Sequence, residues 1–561
     1  MRTGLLLAMF LLASCQSTTP APQPADLVLT GGSVLTLSEA GTQEAVAVNG
    51  ANITAVGSAR AIARYIGPDT QVIDLSGNTV IPGLIEGHGH FLALGQSRTI
   101  LDHTSATSWA EIVSQVQEKV QSTEPGVWVA GRGWHQDKWE TREPVLIDGV
   151  PTNQSLNEVS RNNPVLLGHA SGHASFANDA ALAAAGIDDR TPDPPGGTIV
   201  RDASGQATGL LRETAQQLVQ QAVPATQNRA RFREYVRLAG EEALRWGITS
   251  FHDAGAPFAV IDRFKQLERE NKLPVRLYVM VRGETNAQLA SRLASYYMPL
   301  DGNDFLTVRS IKRQIDGALG AHGAWLLEPY EDLPITHGLV LESVAEIEGT
   351  ARLALINGFQ VNTHAIGTRA NRETLDLYER VWKQVNASGK DLRWRIEHAQ
   401  HIHPEDVPRF GSLGVIAAVQ GVHCVSDGPW IPRRLGEART AETSYPWRAL
   451  LNTGAVLGNG TDVPVEPINP FASIQASVTR VMRNGEAFHP SEAMTAREAL
   501  ESYTLGNAYA AFEEDVKGSI EPGKLADLVV ISQNILTVEP EEISQTEVLH
   551  TIIGGELRFS R

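Results

Sequence analysis

Cysteine is almost absent from this 561-residue sequence, which contains only Cys15 and Cys424. Two cysteines exclude a disulfide-stabilised scaffold and a cysteine-rich zinc site. Any metal ion that the protein binds must therefore be held by histidine and carboxylate side chains.

Positive charge is also scarce, with 47 Lys and Arg residues against 64 Asp and Glu residues and a formal net charge of −17. No cluster of basic residues provides the positive surface that a phosphate backbone needs, so nucleic acid is excluded as a partner. Apolar material is plentiful, since 42% of the residues are hydrophobic. At this length, a large core and more than one domain are expected.

The first apolar run, Leu5–Ala13, is too short to span a bilayer but has the length of a signal-peptide core, and Arg2 supplies the positive start. The segment Leu12-Ala-Ser-Cys15 resembles the lipobox of bacterial lipoproteins, in which the cysteine receives a lipid. We therefore predict a signal peptide at residues 1–14, followed by a lipid anchor on Cys15 and a tether over residues 15–25. The protein is expected to be exported to the periplasm or cell envelope, with membrane contact only through the anchor. An ordinary signal peptide with an incidental cysteine is the alternative.

Short alternating apolar runs occur at both ends of the chain, for example Asp26–Thr30, Ala45–Val48 and Ala526–Ile531. This pattern predicts antiparallel strands. We predict that residues 26–79 and 516–561 together form one small composite β-sandwich. Two unrelated terminal hairpins are the alternative.

Between these ends, apolar β-branched segments alternate with helical patterns, which is typical of a parallel sheet covered by helices. Eight strands are predicted: Val80–Glu86, Ile248–Asp253, Val275–Val281, Val308–Gln314, Phe359–His364, Arg393–His398, Gly414–Gln420 and Ala455–Asp462. The fold class is therefore α/β, with a (β/α)8 TIM barrel over residues 80–515. Residues 91–245 are predicted to be an insertion between strands one and two, with strands of its own near 127–130 and 165–168.

Side chains that can bind a metal recur at the C-terminal ends of the predicted strands, where barrel active sites lie. Strand one ends in His88-Gly-His90, and residues i and i+2 of an extended segment face the same side, so both imidazoles can reach one ion. The other members of this set are Lys312 on strand four and His364, His398 and Asp462 at the ends of strands five, six and eight. A barrel would bring all of them to one mouth. A second pair, His401-Ile-His403, is expected on the surface.

The set HxH, Lys, His, His, Asp resembles the binuclear amidohydrolase superfamily, and the surrounding segments resemble its amidohydrolase-3 (YtcJ-like) branch. The segments are Pro82-Gly-Leu-Ile-Glu-Gly-His-Gly-His90, Asp316-Gly-Ala-Leu-Gly320, Arg395-Ile-Glu-His-Ala-Gln400 and Gly518-Ser-Ile-Glu-Pro-Gly-Lys-Leu-Ala-Asp527. The resemblance implies a barrel with a composite β-sandwich and a carboxylated Lys312 that bridges two divalent metal ions, with Zn²⁺ the expected metal. It also implies that His88, His90 and Asp462 hold one ion and that His364 and His398 hold the other.

The chemistry of these groups is coherent. A lysine beside two cations is pushed towards its neutral amine, which can take up carbon dioxide as an anionic carbamate. Two dications lower the pKa of a shared water, so that hydroxide is available to attack a carbonyl group that one ion polarises. Asp462 can take the proton and return it to the leaving nitrogen. We therefore predict a hydrolase that cleaves an amide or other non-peptide C–N bond of a small molecule.

The sequence departs from the family pattern at Glu86-Gly87, where an acid and a serine are usual, and at Ala321-His322, where Ser-Arg is common. Candidate substrate contacts are Trp134, His135 and His173 in the insertion, His322 after strand four and His423 after strand seven. Three alternatives use the same residues. One is cleavage of a lactone, ester or phosphotriester. The second is a mononuclear deaminase, which needs no bridging lysine, and the third is a binding lipoprotein that has lost turnover.

Overall fold

The computed structural model describes residues 22–140, 147, 149–223 and 225–561. The predicted signal peptide and the anchor residue Cys15 lie outside the described residues. Within the described ranges, no helix is both long enough and apolar enough to cross a membrane. Cys424 is buried and has no disulfide partner among these described residues.

The centre of the molecule is a sheet of eight strands that curls into a nearly closed barrel. Barrel strands one to eight are Leu84–Gly89, Ile248–Ala256, Arg276–Val281, Leu306–Gln314, Gln360–Ala365, Arg395–His398, Ile416–Gln420 and Leu457–Gly460. Neighbouring strands in this sheet are parallel, and their order follows the order in the chain. The α/β class and the eight-stranded barrel that the alternating pattern predicts are confirmed.

The predicted first strand, Val80–Glu86, is wrong in its bounds. The structure divides this segment between two sheets: Thr79–Pro82 pairs with Leu528–Ile531 outside the barrel, and barrel strand one begins after Gly83. At Gly83 a Cβ atom would come within 2.2 Å of the Thr249 hydroxyl oxygen, so only glycine fits this crossing. Both segments are fully buried, and their continuous apolar run therefore concealed the change of sheet.

Hydrogen bonds hold strand one beside strand eight. The Asn507 side-chain amide donates to the carbonyl oxygens of Ile85 and Asn459, each at 2.8 Å. The backbone N–H of Asp462 donates to the carbonyl oxygen of His88, also at 2.8 Å. These bonds bring the ends of the first and last strands together, and with them the polar residues that these ends carry.

Amphipathic helices cover the outside of the barrel, as in Thr368–Val385, where Leu375, Tyr378 and Trp382 are buried at helical spacing. Helices between or after the barrel strands are Phe91–Ser97, Ala225–Arg245, Phe258–Arg269, Asn286–Arg292, Val344–Asn357, Thr368–Val385, Gly389–Leu392, Val407–Leu413, Pro470–Thr479, Ala496–Ser502 and Leu505–Ala510. The long connection after strand seven contains His423–Asp427, Ile431–Leu435, Glu437–Thr443 and Trp447–Asn452.

The segment between strands one and two, which we call the cap segment, contains a mixed sheet that we call the cap sheet. In sheet order its strands are Gly197–Arg201, Ala207–Glu213, Ala174–Ala177, Val165–His169, Val129–Trp134 and Leu101–Asp102. The helices of this segment are Trp109–Gln121, Gln154–Val159, Asp179–Ala184 and Gln216–Gln220. The strands predicted near 127–130 and 165–168 correspond to two parallel neighbours of the cap sheet.

Two further sheets lie outside the barrel. A six-stranded sheet combines both ends of the chain, in the order Glu556–Ser560, Val548–Ile553, Leu528–Ile531, Thr79–Pro82, Ser33–Leu35 and Thr42–Gln43. A four-stranded sheet contains Asn52–Gly57, Ala45–Asn49, Leu27–Thr30 and Gln71–Asp74, and the helix Ala59–Ile62 lies within the same stretch of chain. Arg276 on strand three links the barrel to this region, because its guanidinium pairs with Asp527 at 2.8 Å and both side chains are buried.

Candidate metal centre

The two histidines at the end of strand one converge on Asp462. His88 lies within strand one and is 1% exposed, and His90 follows the strand as the residue that precedes the helix Phe91–Ser97. The Nε2 atom of His90 lies 3.2 Å from Asp462 Oδ1, and the Nε2 atom of His88 lies 3.6 Å from the same oxygen. The i, i+2 spacing thus brings both imidazoles to one carboxylate.

Asp462 follows strand eight in a left-handed backbone conformation, with φ of 57°. The residue before Asp462, Thr461, is held by the buried acid Glu86. The Glu86 carboxyl group, whose pKa burial raises to about 8, accepts hydrogen bonds from the backbone N–H of Thr461 at 2.6 Å and from the Thr461 hydroxyl at 3.1 Å. Glu86 therefore ties the turn that carries Asp462 to strand one.

His364 and His398 lie at the ends of strands five and six, next to each other and to His88. The ring centroids of His364 and His398 are 4.4 Å apart, and those of His88 and His398 are 4.7 Å apart. The Nε2 atom of His364 is buried and has no hydrogen-bond partner within the described residues. Its nearest acid is Asp316, whose Oδ1 lies 3.5 Å away.

Lys312 on strand four points into the same cluster. It is 2% exposed, and its Nζ atom lies 3.4 Å from the Nε2 atom of His88. Burial lowers the pKa of Lys312 to about 7, although the charge of Glu397 opposes this shift. A lysine with this pKa is partly a neutral amine at physiological pH, which is the form that reacts with carbon dioxide.

An ion pair beneath the cluster, between Arg395 and Glu397, was not identified as functional from the sequence. Arg395 Nε lies 2.7 Å from one Glu397 oxygen, and the other oxygen contacts the Nδ1 atom of His88. Arg395 and Glu397 are residues i and i+2 of strand six and share one face of it. A metal-bound histidine commonly donates its other N–H to a carboxylate. An acid on the inward face of strand six, directly before His398, was therefore the sequence feature that could have indicated this role.

The protonation states suit cation binding. Burial lowers the pKa of His88 to about 4, and burial together with neighbouring positive groups lowers the pKa values of His364 and His398 well below the ordinary value. Burial alone would raise the pKa of Asp462, but the hydrogen bond from His90 and the charges of nearby histidines hold it well below its usual range. The cluster therefore offers neutral imidazoles and an ionised carboxylate, which are the forms that coordinate a metal.

One subset of these residues is compact enough to share an ion. Single ligand atoms of His88, His398 and Asp462 all lie within 4.8 Å of one another. This grouping joins His398, which the resemblance assigned to the second ion, with two residues assigned to the first. The unpartnered Nε2 atom of His364 and the buried Lys312 side chain lie beside this group.

The candidate substrate contacts lie in different surroundings. Trp134 is 1% exposed in the core of the cap segment, and its indole N–H donates to the carbonyl oxygen of Leu167 at 2.8 Å. The His135 ring lies 4.6 Å from that of His169. His173 is hydrogen-bonded to Glu213 at 3.0 Å.

The two candidates outside the cap segment also differ. His322 lies after strand four in a left-handed conformation, with its Nε2 atom 3.0 Å from Asp332. His423 begins the helix that follows strand seven, and its ring is parallel to that of His398. His423 therefore packs against the histidine cluster, and His173 lies close enough for its charge to act on His364 and Asp316.

The prediction that the second histidine pair lies on the surface is wrong for His401. His401 is 1% exposed, its backbone N–H donates to the carbonyl oxygen of Ile366, and its Nδ1 atom lies 3.0 Å from the Ser444 hydroxyl. The residue pairs with Ser444 in an isolated β-bridge, which buries it. A contact between segments 43 residues apart is not visible in the local pattern around Pro404.

Comparison with known proteins identifies a family and several relatives. A model of the amidohydrolase family matches residues 71–559. The protein Long After Far-Red 3 of Arabidopsis thaliana is 34% identical, with 96% of this chain and 92% of that protein covered. The YtcJ protein of Bacillus subtilis (strain 168) is 31% identical, with 95% and 99% covered. The N-substituted formamide deformylase of Arthrobacter pascens is 29% identical, with 96% and 99% covered.

A solved structure is similar over the same range. The crystal structure of an uncharacterized metal-dependent hydrolase from Pyrococcus horikoshii OT3 aligns with a TM-score of 0.73 and 26% sequence identity. The alignment covers 92% of this chain and 99% of that chain.

Proposed function

The chain belongs to the amidohydrolase family, and we propose that it is a metal-dependent hydrolase that cleaves an amide or other non-peptide C–N bond of a small molecule. The observation that carries this proposal is the convergence of buried, unprotonated imidazoles, Asp462 and Lys312 at one end of the barrel. The similarity to an N-substituted formamide deformylase supports an amide as the bond that is cleaved.

In this proposal the two divalent ions are Zn²⁺, and the residues that would hold them are His88, His90, Lys312, His364, His398 and Asp462. We propose that Lys312 acts as a carbamate formed with carbon dioxide, which turns a buried amine into an anionic ligand. Divalent cations bound there would lower the pKa of water and polarise a carbonyl group.

The side chains of the chain itself supply positioning and proton transfer. Asp462 is ionised and buried, so it can accept a proton from water and deliver it to the leaving nitrogen. Glu86 accepts a hydrogen bond from the backbone N–H of Thr461, and the His88 carbonyl oxygen accepts one from the backbone N–H of Asp462. The Asp462 carboxylate is therefore fixed in place before substrate binds. The products of this reaction are a carboxylic acid and an amine.

The test is hydrolysis of N-formyl-para-nitroaniline, an N-substituted formamide that releases a coloured amine. The protein as purified should hydrolyse it, the chelator-treated protein should not, and added Zn²⁺ should restore the rate. A phosphotriester and a lactone assayed in parallel distinguish the alternative that the same residues cleave another bond. Activity that survives complete removal of metal would refute the proposal.

A mononuclear deaminase remains the second candidate, because a specific observation favours it. The ligand atoms of His88, His398 and Asp462 form the one compact group among the described residues, and that group contains no lysine. A single ion per chain with an unmodified Lys312 and release of ammonia from an amino-substituted heterocycle would support this candidate over the two-ion hydrolase.

We also propose that the protein is exported and anchored in the cell envelope through a lipid on Cys15, on the strength of the apolar run and the Leu12-Ala-Ser-Cys15 segment. Cell fractionation of the native protein and a Cys15→Ser variant tests this proposal. The native protein should sediment with membranes, and the variant should be released from them.

The two terminal sheets, in our proposal, form one composite β-sandwich from residues 26–82 and 516–561, because Thr79–Pro82 pairs with Leu528–Ile531, beside a barrel that begins with Leu84–Gly89. Its support is an apolar cluster shared by both sheets, which includes Val34, Val46 and Val530. Limited proteolysis should release no stable fragment that consists of either terminus alone.

A further inference from the structure

His423 lies beside the metal cluster but outside the predicted ligand set. Its ring is parallel to the ring of His398 within 11°, with centroids 6.4 Å apart, and the residue is 7% exposed. Two residues before it, Gly421 packs tightly against the helix Pro470–Thr479, because a Cβ atom at position 421 would lie 2.1 Å from the Ser477 hydroxyl oxygen. The helix His423–Asp427 therefore starts directly against the site.

The hydrogen-bond partners of the cluster histidines fix which ring nitrogen carries the proton. His88 contacts the Glu397 carboxylate through Nδ1, and His398 contacts the side-chain oxygen of Gln420 through Nδ1 at 2.8 Å. Both partners are acceptors, so Nδ1 of each ring holds the proton. The Nε2 atoms of His88 and His398 then carry no proton, and each has the free lone pair that a metal ligand requires.

His423 has the opposite arrangement. Its Nδ1 atom lies 3.2 Å from the side-chain nitrogen of Gln400, which can only donate. Nδ1 is therefore an acceptor and the proton of the neutral ring is on Nε2. An Nε2–H group cannot coordinate a cation, but it can donate a hydrogen bond.

The Nε2 atom of His423 is buried and has no hydrogen-bond partner within the described residues. The acid in the same helix, Asp427, is already engaged by the Tyr445 hydroxyl at 2.9 Å. A buried donor without an acceptor is costly in a folded protein and calls for an explanation, of which a catalytic role is one.

We propose that His423 is a catalytic residue that donates its Nε2–H to the carbonyl oxygen of the amide under attack. The oxygen gains negative charge as the carbonyl carbon becomes tetrahedral, and a fixed neutral donor stabilises that charge without giving up its proton. Gln400 is the positioning residue, since it holds the ring in the tautomer that donates. This inference rests on the proposed amide hydrolysis and adds a role for a residue that binds no metal.

The kinetic test compares His423→Phe, which removes the donor, with His423→Gln, whose side-chain amide can place an N–H near the original Nε2. With N-formyl-para-nitroaniline, His423→Phe should lower kcat by about 10²–10³-fold, with metal content unchanged. His423→Gln should recover about tenfold or more of that loss.

A matched control is His103→Phe. His103 is also a buried histidine with one ring nitrogen bonded to a glutamine, at 2.6 Å from Gln115, and the other without a partner, but it belongs to the cap segment. Its replacement should lower stability and leave kcat within about threefold of wild type.

The tautomer of His423 can be measured by NMR without any enzymatic reaction. In long-range ¹H–¹⁵N spectra of histidine-labelled, metal-loaded protein, with the His423 signal assigned from the His423→Gln variant, Nε2 of His423 should be protonated and Nδ1 unprotonated. The reverse tautomer would overturn the inference, as would His423→Phe with wild-type kcat or with a loss of metal equal to its loss of activity. An inactive wild-type protein would instead count against the proposed function itself.

Discussion

Replacement of Glu397 by glutamine should weaken both the fold and the metal centre, because this side chain serves two buried partners. One of its oxygens lies 2.7 Å from Arg395 Nε and the other contacts His88 Nδ1. Both Arg395 and Glu397 are 0% exposed. Burial would raise the pKa of Glu397, but Arg395 and His88 hold it well below its usual range, so the side chain is an anion at neutral pH. Glutamine keeps the shape and one acceptor and removes the charge.

The magnitude follows from what remains around Arg395. Removing one partner of a buried ion pair costs about 3–5 kcal/mol. Arg395 keeps two neutral acceptors, the Gly87 carbonyl oxygen at 2.7 Å and His252 Nδ1 at 3.1 Å. We therefore expect the lower end, a loss of roughly 3 kcal/mol in the free energy of unfolding. Zn²⁺ affinity should fall by about 10–100-fold, because His88 loses its anionic partner.

Urea denaturation of the metal-free protein measures the first effect, and titration calorimetry with Zn²⁺ measures the second. The matched control is Glu405→Gln, which removes a charge of the same type from an exposed pair with Arg372 and should cost less than about 1 kcal/mol. If Glu397→Gln and Glu405→Gln have the same stability and the same Zn²⁺ affinity, the reasoning about the buried ion pair is refuted.

Three further predictions concern pH, a second ion pair and a tight glycine. Burial lowers the pKa of His401 to about 3, so the unfolded chain takes up a proton at this residue first and its contribution to stability is lost as pH falls below about 6.5. Buried acids act in the opposite direction, since burial raises the pKa of Glu86 to about 8 and that of Asp316 to about 7. Between about pH 7.5 and about pH 5.5, the metal-free wild type should therefore lose on the order of 1 kcal/mol more than a His401→Phe variant in urea denaturation, and an equal loss in both proteins would contradict this prediction. Arg276→Met should lower the free energy of unfolding by roughly 3–5 kcal/mol in the same assay, because it leaves Asp527 buried without its charge partner, and an unchanged value would contradict this. Gly460→Ala should lower Zn²⁺ affinity in calorimetry, because its Cβ atom would lie 2.4 Å from Glu86 Oε1 and 2.5 Å from the backbone nitrogen of His88 and would displace strand one. Unaltered Zn²⁺ binding would contradict this prediction.

The barrel could be predicted from sequence because its strands are buried on both faces and read as continuous apolar segments. The same property misplaced strand one, since Thr79–Pro82 and Leu84–Gly89 are equally buried but belong to different sheets. Periodicity reports burial, and it does not report which neighbour a strand pairs with. The prediction of an enzyme that hydrolyses C–N bonds is confirmed by the family match and by the similarity to a formamide deformylase.

The site residues that lie at the ends of strands could be predicted from the sequence. The contacts between residues far apart in the chain could not. His88, His364, His398 and Asp462 could be proposed from their positions at predicted strand ends. The tie between Glu86 and Thr461 spans 375 residues and left no local pattern. The burial of His401 by Ser444 was hidden for the same reason.

The metal content of the purified chain tests the central claim most directly. We predict two divalent ions per chain, together with a mass increase of one carbon dioxide unit on Lys312, and the loss of both ions and activity in Lys312→Ala. A metal-free chain with full amide-hydrolysing activity, or a single ion beside an unmodified Lys312, would contradict the account.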